Sequence, residues 1–151
     1  MKTNINTFGV VLAIIISLFM AGCSSNQPQK IGTSEYPQIE IKTENIQELK
    51  DKLISEMSKA EFSLSSSSDS LLEFRKQLKP WEITFFGTLL QTKVDFRGID
   101  FTFDTISGTT TIKGKPYLLF KTYTNKDAKR DMHDNASYYN EAQTFLNSSK
   151  P

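Results

Sequence analysis

An apolar run near the amino terminus constrains this chain more than any other feature. Apolar residues dominate from Phe8 to Met20, Lys2 precedes them, and the small residues Ala21 and Gly22 follow. A run of about thirteen residues is too short to cross a bilayer as a helix, which needs roughly 20. A buried helix of the fold would show a polar face, and residues 10–16 show none. The layout is typical of an export signal over residues 1–22.

The segment Met20-Ala21-Gly22-Cys23 resembles the lipobox of bacterial lipoproteins, in which an apolar residue, a small residue and Gly or Ala precede an obligatory cysteine. Met20 stands where leucine is commonest, and the resemblance covers residues 1–23 only. It implies cleavage between Gly22 and Cys23 and a diacylglycerol thioether, with palmitate-type chains, on the Cys23 thiol. Two or three acyl chains anchor a protein firmly, whereas one holds it marginally.

Cys23 is the single cysteine of the chain. The alternative, a secreted protein with one buried free thiol, is uncommon because oxidising compartments favour paired cysteines. In Gram-negative lipoproteins an Asp after the cysteine commonly retains the protein at the inner membrane. Ser24 therefore implies a lipid anchor in the outer membrane, with the protein facing the periplasm.

The composition fits one globular domain. The chain has 151 residues, of which 38% are hydrophobic and 23% charged, and eleven are Phe. Removing residues 1–22 removes Lys2 and leaves 17 basic and 17 acidic side chains. Nucleic-acid binding is disfavoured, because phosphate recognition needs clustered Lys and Arg.

Residues 23–43 are predicted to form a flexible tether after the acylated Cys23, because they are poor in large apolar residues and rich in Pro, Gly, Gln, Asn and Ser. Within it, Ile39 and Ile41 alternate as in a short edge strand. Residues 44–151 are predicted to form a single α+β domain.

Three helices are predicted in that domain. Asn45 with Glu48 resembles a capping pair, and apolar residues recur at helical spacing from Ile46 to Leu64. After a serine-rich loop, the capping box at residues 70–73 opens a second helix that Pro80 ends. Asn125 is predicted to cap a third helix that includes Ala128, Met132, Ala136, Tyr139, Ala142 and Leu146.

Between Trp81 and Tyr123 the apolar period changes to two, which predicts about four antiparallel strands. Ser107-Gly108 and Lys113-Gly114-Lys115 are the predicted turns, and a turn or bulge is expected near Gly98. The expected architecture is a small antiparallel sheet with two N-terminal helices and one C-terminal helix.

The third predicted helix carries Asp127, Asp131 and Asp134 at i, i+4 and i+7. Three carboxylates on one side could hold a hard cation such as calcium. The simpler alternative is an acidic first turn favoured by the helix dipole, with neighbouring lysines to offset repulsion. The single histidine, His133, would point away from this cluster. We predict no metal site and no cofactor.

No catalytic constellation is apparent, so the chain is not predicted to be an enzyme. The serines at 65–68 lie in a run without a strained turn, and a single histidine is available as a base. The carboxylates Glu82, Asp95, Asp100 and Asp104 alternate with large apolar residues, which predicts a solvated strand face.

The remaining candidates are apolar residues that could form a partner or ligand surface: Phe85, Phe86, Phe101, Phe103, Leu118 and Phe120. The leading prediction is a membrane-anchored, non-enzymatic protein that binds another envelope protein, of the assembly, immunity or exclusion type. The alternative is a carrier or sensor of a small apolar ligand held between the helices and the Phe-rich sheet.

Overall fold

The computed structural model describes residues 28–42, 45–90, 92–122 and 124–150. Within those ranges the chain forms six strands and three helices. In chain order they are β1 (Gln38–Lys42), α1 (Ile46–Lys59), β2 (Ser63–Ser67), β3 (Leu71–Gln77), α2 (Pro80–Leu90), β4 (Val94–Ile106), β5 (Thr109–Lys121), β6 (Asp127–Asp131) and α3 (Ala136–Ser148).

The strands form one antiparallel sheet in the order β2-β3-β4-β5, with two further strands on the free edge of β5. β1 pairs with residues 109–113 of β5, and β6 pairs with residues 117–121. These two short strands therefore lie end to end along the same edge. The predicted α+β class is confirmed, but the sheet has six described strands rather than about four.

The main core lies between one face of the sheet and the helices α1 and α3. Alternate strand residues point into it, as the period of two requires. Its fully buried side chains are Leu53, Met57, Leu72, Phe74, Phe101, Ile112, Ala142 and Leu146.

Helix α2 covers the end of the same sheet face. Ile83, Phe86 and Leu90 of α2 pack against the buried side chains of Val94 and Leu118. Leu118 points to the same side as Ile112, because the two are an even number of residues apart in β5. All three described helices thus lie on one face, and the opposite face carries none of them.

The predicted first helix is confirmed as α1, although it ends at Lys59 rather than near Leu64. Asn45 is its N-cap, and its side-chain oxygen accepts a hydrogen bond from the Glu48 N–H at 3.1 Å. The predicted turn at Ser107-Gly108 is also confirmed. Both residues have positive φ, 51° and 78°, as a tight hairpin turn requires.

The predicted second helix is wrong. Residues 71–77 form β3, and the serine-rich segment before it forms β2. Leu72 and Phe74 point into the core, while Glu73 and Arg75 point to the opposite face. Pairing with β2 on one side and β4 on the other outweighs the local capping box.

The strand predicted at Trp81 is also wrong, because residues 80–90 form α2. Pro80 begins this helix instead of ending an earlier one, since a proline at the first helical position loses no helix hydrogen bond. The side chain of Glu82 accepts a hydrogen bond from the Lys79 N–H at 2.8 Å and caps the helix start.

Asn125 does not cap the third helix. It lies in a turn with φ of 59°, and residues 127–131 after it form β6. The cap of α3 is Asn135, whose side chain accepts from the N–H groups of Ser137 and Tyr138. Lys113-Gly114-Lys115, predicted as a turn, lies inside β5. The irregularity expected near Gly98 lies between Val94 and Phe96.

Part of the segment predicted as a flexible tether, residues 23–43, forms a strand. Residues 38–42 form β1, as the alternation of Ile39 and Ile41 indicates, and both side chains are buried. The segment before β1 lies on α3: the Ile31 N–H donates to Asn140 Oδ1 at 2.7 Å, and Asn140 Nδ2 donates to the Gln29 carbonyl at 2.6 Å.

Candidate functional site

An aromatic and charged cluster lies at the centre of the sheet face that none of the described helices covers, which we call the helix-free face. The sheet-face cluster consists of Glu73, Arg75, Asp100, Tyr117 and Lys129, which come from the four neighbouring strands β3, β4, β5 and β6. The strand register places them together, because Glu73 pairs with Asp100 and Tyr117 pairs with Asp131, two residues from Lys129. Alternate residues of a strand share a face, so the side chains project to one side.

Tyr117 lies at the middle of this cluster. Its side chain is only 3% exposed although no described helix covers this face. The ring lies against Gly98 of β4, where a Cβ atom would be 2.3 Å from Tyr117 Cζ. Its hydroxyl donates a long hydrogen bond, 3.4 Å, to the Phe74 carbonyl. Glycine at position 98 therefore makes room for the ring.

Lys129 joins the ring to two carboxylates. Its Nζ lies 4.3 Å from the centroid of the Tyr117 ring and donates to Glu73 Oε1 at 2.7 Å and to Asp100 Oδ2 at 2.6 Å. Burial by itself lowers the pKa of Lys129, but the hydrogen bonds that Lys129 donates to Asp100 and Glu73 outweigh this effect, and the pKa is raised. Lys129 is therefore held charged between two acids and an aromatic face.

Two polar atoms of the cluster are buried without a partner. Within the residues that the structure describes, neither Asp100 Oδ1 nor Arg75 Nε has a hydrogen-bond partner. Burial raises the pKa of Asp100, and the hydrogen bond from Lys129 opposes this effect. A buried polar group without a partner costs roughly 1–3 kcal/mol, so these atoms mark a place where an added donor or acceptor would stabilise the protein.

A shallow depression of about 150 Å³ opens beside the cluster. It is lined by Asp100, Lys115, Pro116, Tyr117, Lys129 and Asp131. A second depression of about 90 Å³ lies towards β4 and includes Arg75, Phe96 and Leu119 in its lining. Typical small-molecule pockets are about 300–1,000 Å³. Depressions of this size fit single side chains of a protein partner better than a drug-sized ligand.

Tyr36 and His133 extend this face at the end of β6. The Tyr36 hydroxyl donates to Asp131 Oδ2 at 2.6 Å, and this hydrogen bond is the main reason that the pKa of Tyr36 is raised to about 12. The Tyr36 ring stacks on His133 with a centroid distance of 4.6 Å. The Nζ atoms of Lys113 and Lys115 each lie 5.7 Å from the Tyr36 ring.

The prediction that three carboxylates lie on one side of a helix is wrong. Asp127 and Asp131 are at opposite ends of β6, and Asp134 lies in the turn that follows. Asp127 is paired with Lys121, and Asp131 accepts from Tyr36 and His133. Among the described residues there is no group of three or more His, Cys, Asp or Glu that could hold a metal ion.

His133 does not point away from the acids, as the helical spacing predicted. Its Nδ1 lies 2.8 Å from Asp131 Oδ1, and its Nε2 lies 3.3 Å from Asp134 Oδ1. Both ring nitrogens therefore face carboxylates. A catalytic base needs one nitrogen directed at a nucleophile or a substrate, and this geometry does not provide it.

The other carboxylates considered for catalysis lie apart. Glu82 caps α2, Asp95 pairs with Lys93 at 3.3 Å, and Asp104 is exposed near the end of β4. Asp100 is the exception, because it is half-buried in the sheet-face cluster rather than on a solvated strand face. The serines at 65–67 lie in the exposed strand β2, with Ser68 directly after it.

The predicted apolar surface separates into two groups. Phe101 and Phe103 are buried in the main core, and Phe101 packs edge-on against Phe74 with a centroid distance of 6.0 Å. Leu118, with the partly buried Phe86 and Phe120, belongs to the cluster under α2. Phe85 alone is strongly exposed, at 59%.

Phe85 belongs to an apolar stripe on the outer side of α2. Trp81 and Leu89, four residues before and after it, are 66% and 65% exposed. Because residues four apart lie on the same side of a helix, the three side chains form one surface. We call Trp81, Phe85 and Leu89 the α2 stripe.

The proposed cleavage and acylation residues, Gly22 and Cys23, lie outside the described residues, as does the whole predicted export signal. In the ranges that the structure covers, no helix is both long and apolar enough to cross a bilayer.

Comparisons with protein-family models, with curated proteins and with solved structures gave no match.

Proposed function

We propose that this chain is a bacterial envelope lipoprotein, anchored in the outer membrane by acylated Cys23, whose domain binds another envelope protein without catalysing a reaction. The binding surface is the helix-free face of the sheet, centred on the sheet-face cluster. Assembly, immunity and exclusion proteins are the classes that fit such an anchored binding module.

The observation that carries the proposal concerns Asp100, which lines a solvent-facing depression. Its Oδ1 is buried and has no hydrogen-bond partner among the described residues. A donor from a partner that enters the depression would reach a carboxylate that is already largely removed from water, so little further desolvation is required. Tyr117 and Lys129 line the same depression as Asp100, and Arg75 belongs to the same cluster. Tyr and Arg are enriched where protein interfaces concentrate their binding energy.

The charge pattern of the face gives it specificity for a partner. Asp100 of β4 is the cross-strand neighbour of Lys115 in β5, and Asp131 of β6 is the neighbour of Tyr117 on the other edge of β5. Cations and anions in fixed positions select a partner with the complementary arrangement, and like charges reject others.

Site-specific photocrosslinking in intact envelopes tests the proposal. A photoreactive amino acid at Lys115, which lines the depression, should give one protein adduct of defined mass. The same amino acid at Lys59, an exposed lysine on α1 on the other side of the molecule, is the matched control and should not give it. A further substitution, Lys129→Met, should weaken the Lys115 adduct.

The proposal fails if position 115 crosslinks only to lipid or murein. It also fails if positions 115 and 59 give the same adducts, because a specific face would then not be involved.

A further inference from the structure

Helix α2 is apolar on two opposite sides. Ile83, Phe86 and Leu90 pack on the core, while the α2 stripe faces solvent. A surface helix normally has one apolar side and one polar side. A contiguous exposed apolar patch on a small domain indicates a surface that becomes covered in use.

The first described residues of the chain lie close to this helix. Gln29 and Ile31 are hydrogen-bonded to Asn140 of α3, and Lys30 lies 3.6 Å from Asp134. Pro28 shares a depression with Asp134, Asn135, Ala136 and Ser137, so it lies at the amino-terminal turn of α3.

The same turn of α3 is in contact with α2. Tyr138 is the residue after Ser137, and its ring packs edge-on against Phe86 of α2 with a centroid distance of 6.2 Å. Pro28, the first described residue, and helix α2 are therefore at one end of the domain.

Covalent geometry limits how far this end can lie from the anchor. Pro28 follows Cys23 by five residues, and five residues span at most about 18 Å when fully extended. The acyl chains on Cys23 would therefore hold the amino-terminal turn of α3, and with it α2, close to the lipid surface.

We propose that the α2 stripe inserts into the boundary between headgroups and acyl chains of the membrane that holds Cys23, so that the domain has a fixed orientation on the bilayer. This inference depends on the acylation of Cys23 in the proposed function. Interfacial helices use Trp, Phe and Leu on the buried side, with cations at the rim. The exposed residues Lys79, directly before α2, and Lys93, three residues after its end at Leu90, would serve as such rim cations.

The orientation is compatible with partner binding. The three helices lie on one face of the sheet, and the sheet-face cluster lies on the other. Contact with lipid through the outer side of α2 leaves the sheet-face cluster open to the periplasm.

Trp81 allows a direct test, because it is the single tryptophan of the chain and belongs to the stripe. The purified acylated protein is reconstituted into vesicles of phosphatidylethanolamine and phosphatidylglycerol, with and without bromine on the acyl chains. Insertion should shift the Trp81 emission to shorter wavelength, and the brominated lipids should quench most of it. Flotation of the same vesicles measures anchoring separately.

Two variants make the test specific. Phe85→Asp with Leu89→Asp keeps the tryptophan but should abolish the quenching while flotation persists. The control is Ile106→Asp, which places one aspartate at a similarly exposed apolar residue, 67% exposed, at the far end of β4. It should leave the quenching unchanged.

The outcomes separate the two proposals. If the wild-type protein floats but the Trp81 emission is not quenched, the α2 stripe does not enter lipid and the inference is overturned. The stripe would then be covered by a protein partner or by a second copy of the chain. If the protein neither labels with palmitate nor floats, the proposed anchor fails, and the inference fails with it for that separate reason.

Discussion

The ring of Tyr117 lies on the backbone of Gly98, with its hydroxyl directed at the carbonyl of Phe74. This contact buries a tyrosine on a sheet face that none of the described helices covers. It also fixes part of the wall of the depression, because Tyr117 lines it and Lys129 Nζ lies 4.3 Å from the centroid of the ring. The geometry of the sheet-face cluster therefore depends on the absence of a side chain at position 98.

Gly98→Ala is expected to destabilise the protein. The added Cβ would lie 2.3 Å from Tyr117 Cζ and 2.5 Å from the Phe74 carbonyl oxygen, and the backbone oxygen cannot move away easily. Overpacking of this kind costs about 1–3 kcal/mol. Urea unfolding should show this loss together with a change in tyrosine fluorescence or near-UV circular dichroism.

The matched control is Gly87→Ala in α2. Its Cβ meets only the Thr92 carbonyl at 3.4 Å, an ordinary contact. Alanine is favoured over glycine within a helix by about 0.5–1 kcal/mol, so this variant should be as stable as the wild type or more stable. Equal losses for both variants would contradict the account of Gly98.

Local sequence patterns predicted α1 and most of α3 correctly. Between these helices the patterns predicted a helix where β3 lies and a strand where α2 begins. In residues 71–78 the apolar spacing fits both a helix and a strand, because Leu71, Phe74 and Leu78 follow one period and Leu72 and Phe74 the other. Pairing with two neighbouring strands decided the outcome, and such pairing cannot be read from a local window.

Pro80 and Asn125 were misassigned for a related reason. Proline can begin a helix as well as follow one, and asparagine occupies both helix caps and left-handed turns. Asn135, which caps α3, is the same residue type and was an equally good candidate for the cap. Only the packing of β6 against β5 distinguishes the two asparagines.

The sheet-face cluster was not predictable from a local motif. Lys129 follows Glu73 by 56 residues and Asp100 by 29, and these three residues meet only through the register of β3, β4, β5 and β6. The one local signal was Gly98, a glycine within a strand pattern, which often marks the close approach of another group. By contrast, the exposure of Phe85 was among the alternatives that the sequence raised.

The stability difference between the wild type and Asp100→Asn is expected to depend on pH. Burial raises the pKa of Asp100 in the folded state above its ordinary value of 3.8, against the opposing effect of Lys129 and with a smaller contribution from Glu73. At pH values between 3.8 and the raised pKa of the folded state, Asp100 binds more protons in the folded protein than in the unfolded chain. The unfolding free energy contributed by Asp100 therefore falls as pH rises through this window.

Urea unfolding at a series of pH values checks this prediction. The wild type should gain stability relative to Asp100→Asn as the pH is lowered through the raised pKa towards 3.8. Asp104→Asn is the control, because Asp104 lies on the same strand and face but is exposed. A difference that stays constant with pH for Asp100→Asn would show that this carboxyl has no raised pKa.

Phe101 and Phe85 were both predicted to belong to a partner or ligand surface, and alanine substitutions at the two positions should have very different effects on stability. Phe101→Ala removes a ring that is fully buried against Phe74, which costs about 3–5 kcal/mol. Phe85→Ala removes an exposed ring and should change the stability by no more than about 0.5 kcal/mol. Thermal or urea unfolding measures both. A large loss for Phe85→Ala would mean that the ring is buried by something in the folded protein.

The proposed lipid anchor predicts that Cys23→Ser abolishes acylation of the protein. The hydroxyl cannot form the thioether to diacylglycerol, so metabolic labelling with palmitate should be lost and the signal segment should remain uncleaved. The domain should retain its stability, since residue 23 precedes the segment that packs on α3. If the variant still takes up palmitate, the lipobox assignment is wrong.

Arg97 and Glu141 should show strong energetic coupling. Their two hydrogen bonds, 2.9 and 3.1 Å, form a fork between β4 and α3, and the guanidinium also lies 5.4 Å from the Phe62 ring and 5.8 Å from the Tyr138 ring. Burial raises the pKa of Glu141, and Arg97 opposes this effect. Both side chains are mostly shielded, so neither charge is well solvated when the other is removed.

A double-mutant cycle with Arg97→Met and Glu141→Gln measures this coupling, and we expect about 1–3 kcal/mol. The exposed pair Lys59–Glu56, 2.6 Å apart on α1, provides the comparison, and pairs of that kind contribute about 0.2–1 kcal/mol. Because Arg97 also packs against Tyr138, which contacts α2, the Arg97→Met variant should in addition reduce the protection of α2 amides from hydrogen exchange. A coupling no larger than that of Lys59–Glu56 would mean that solvent screens the fork despite its shielded position.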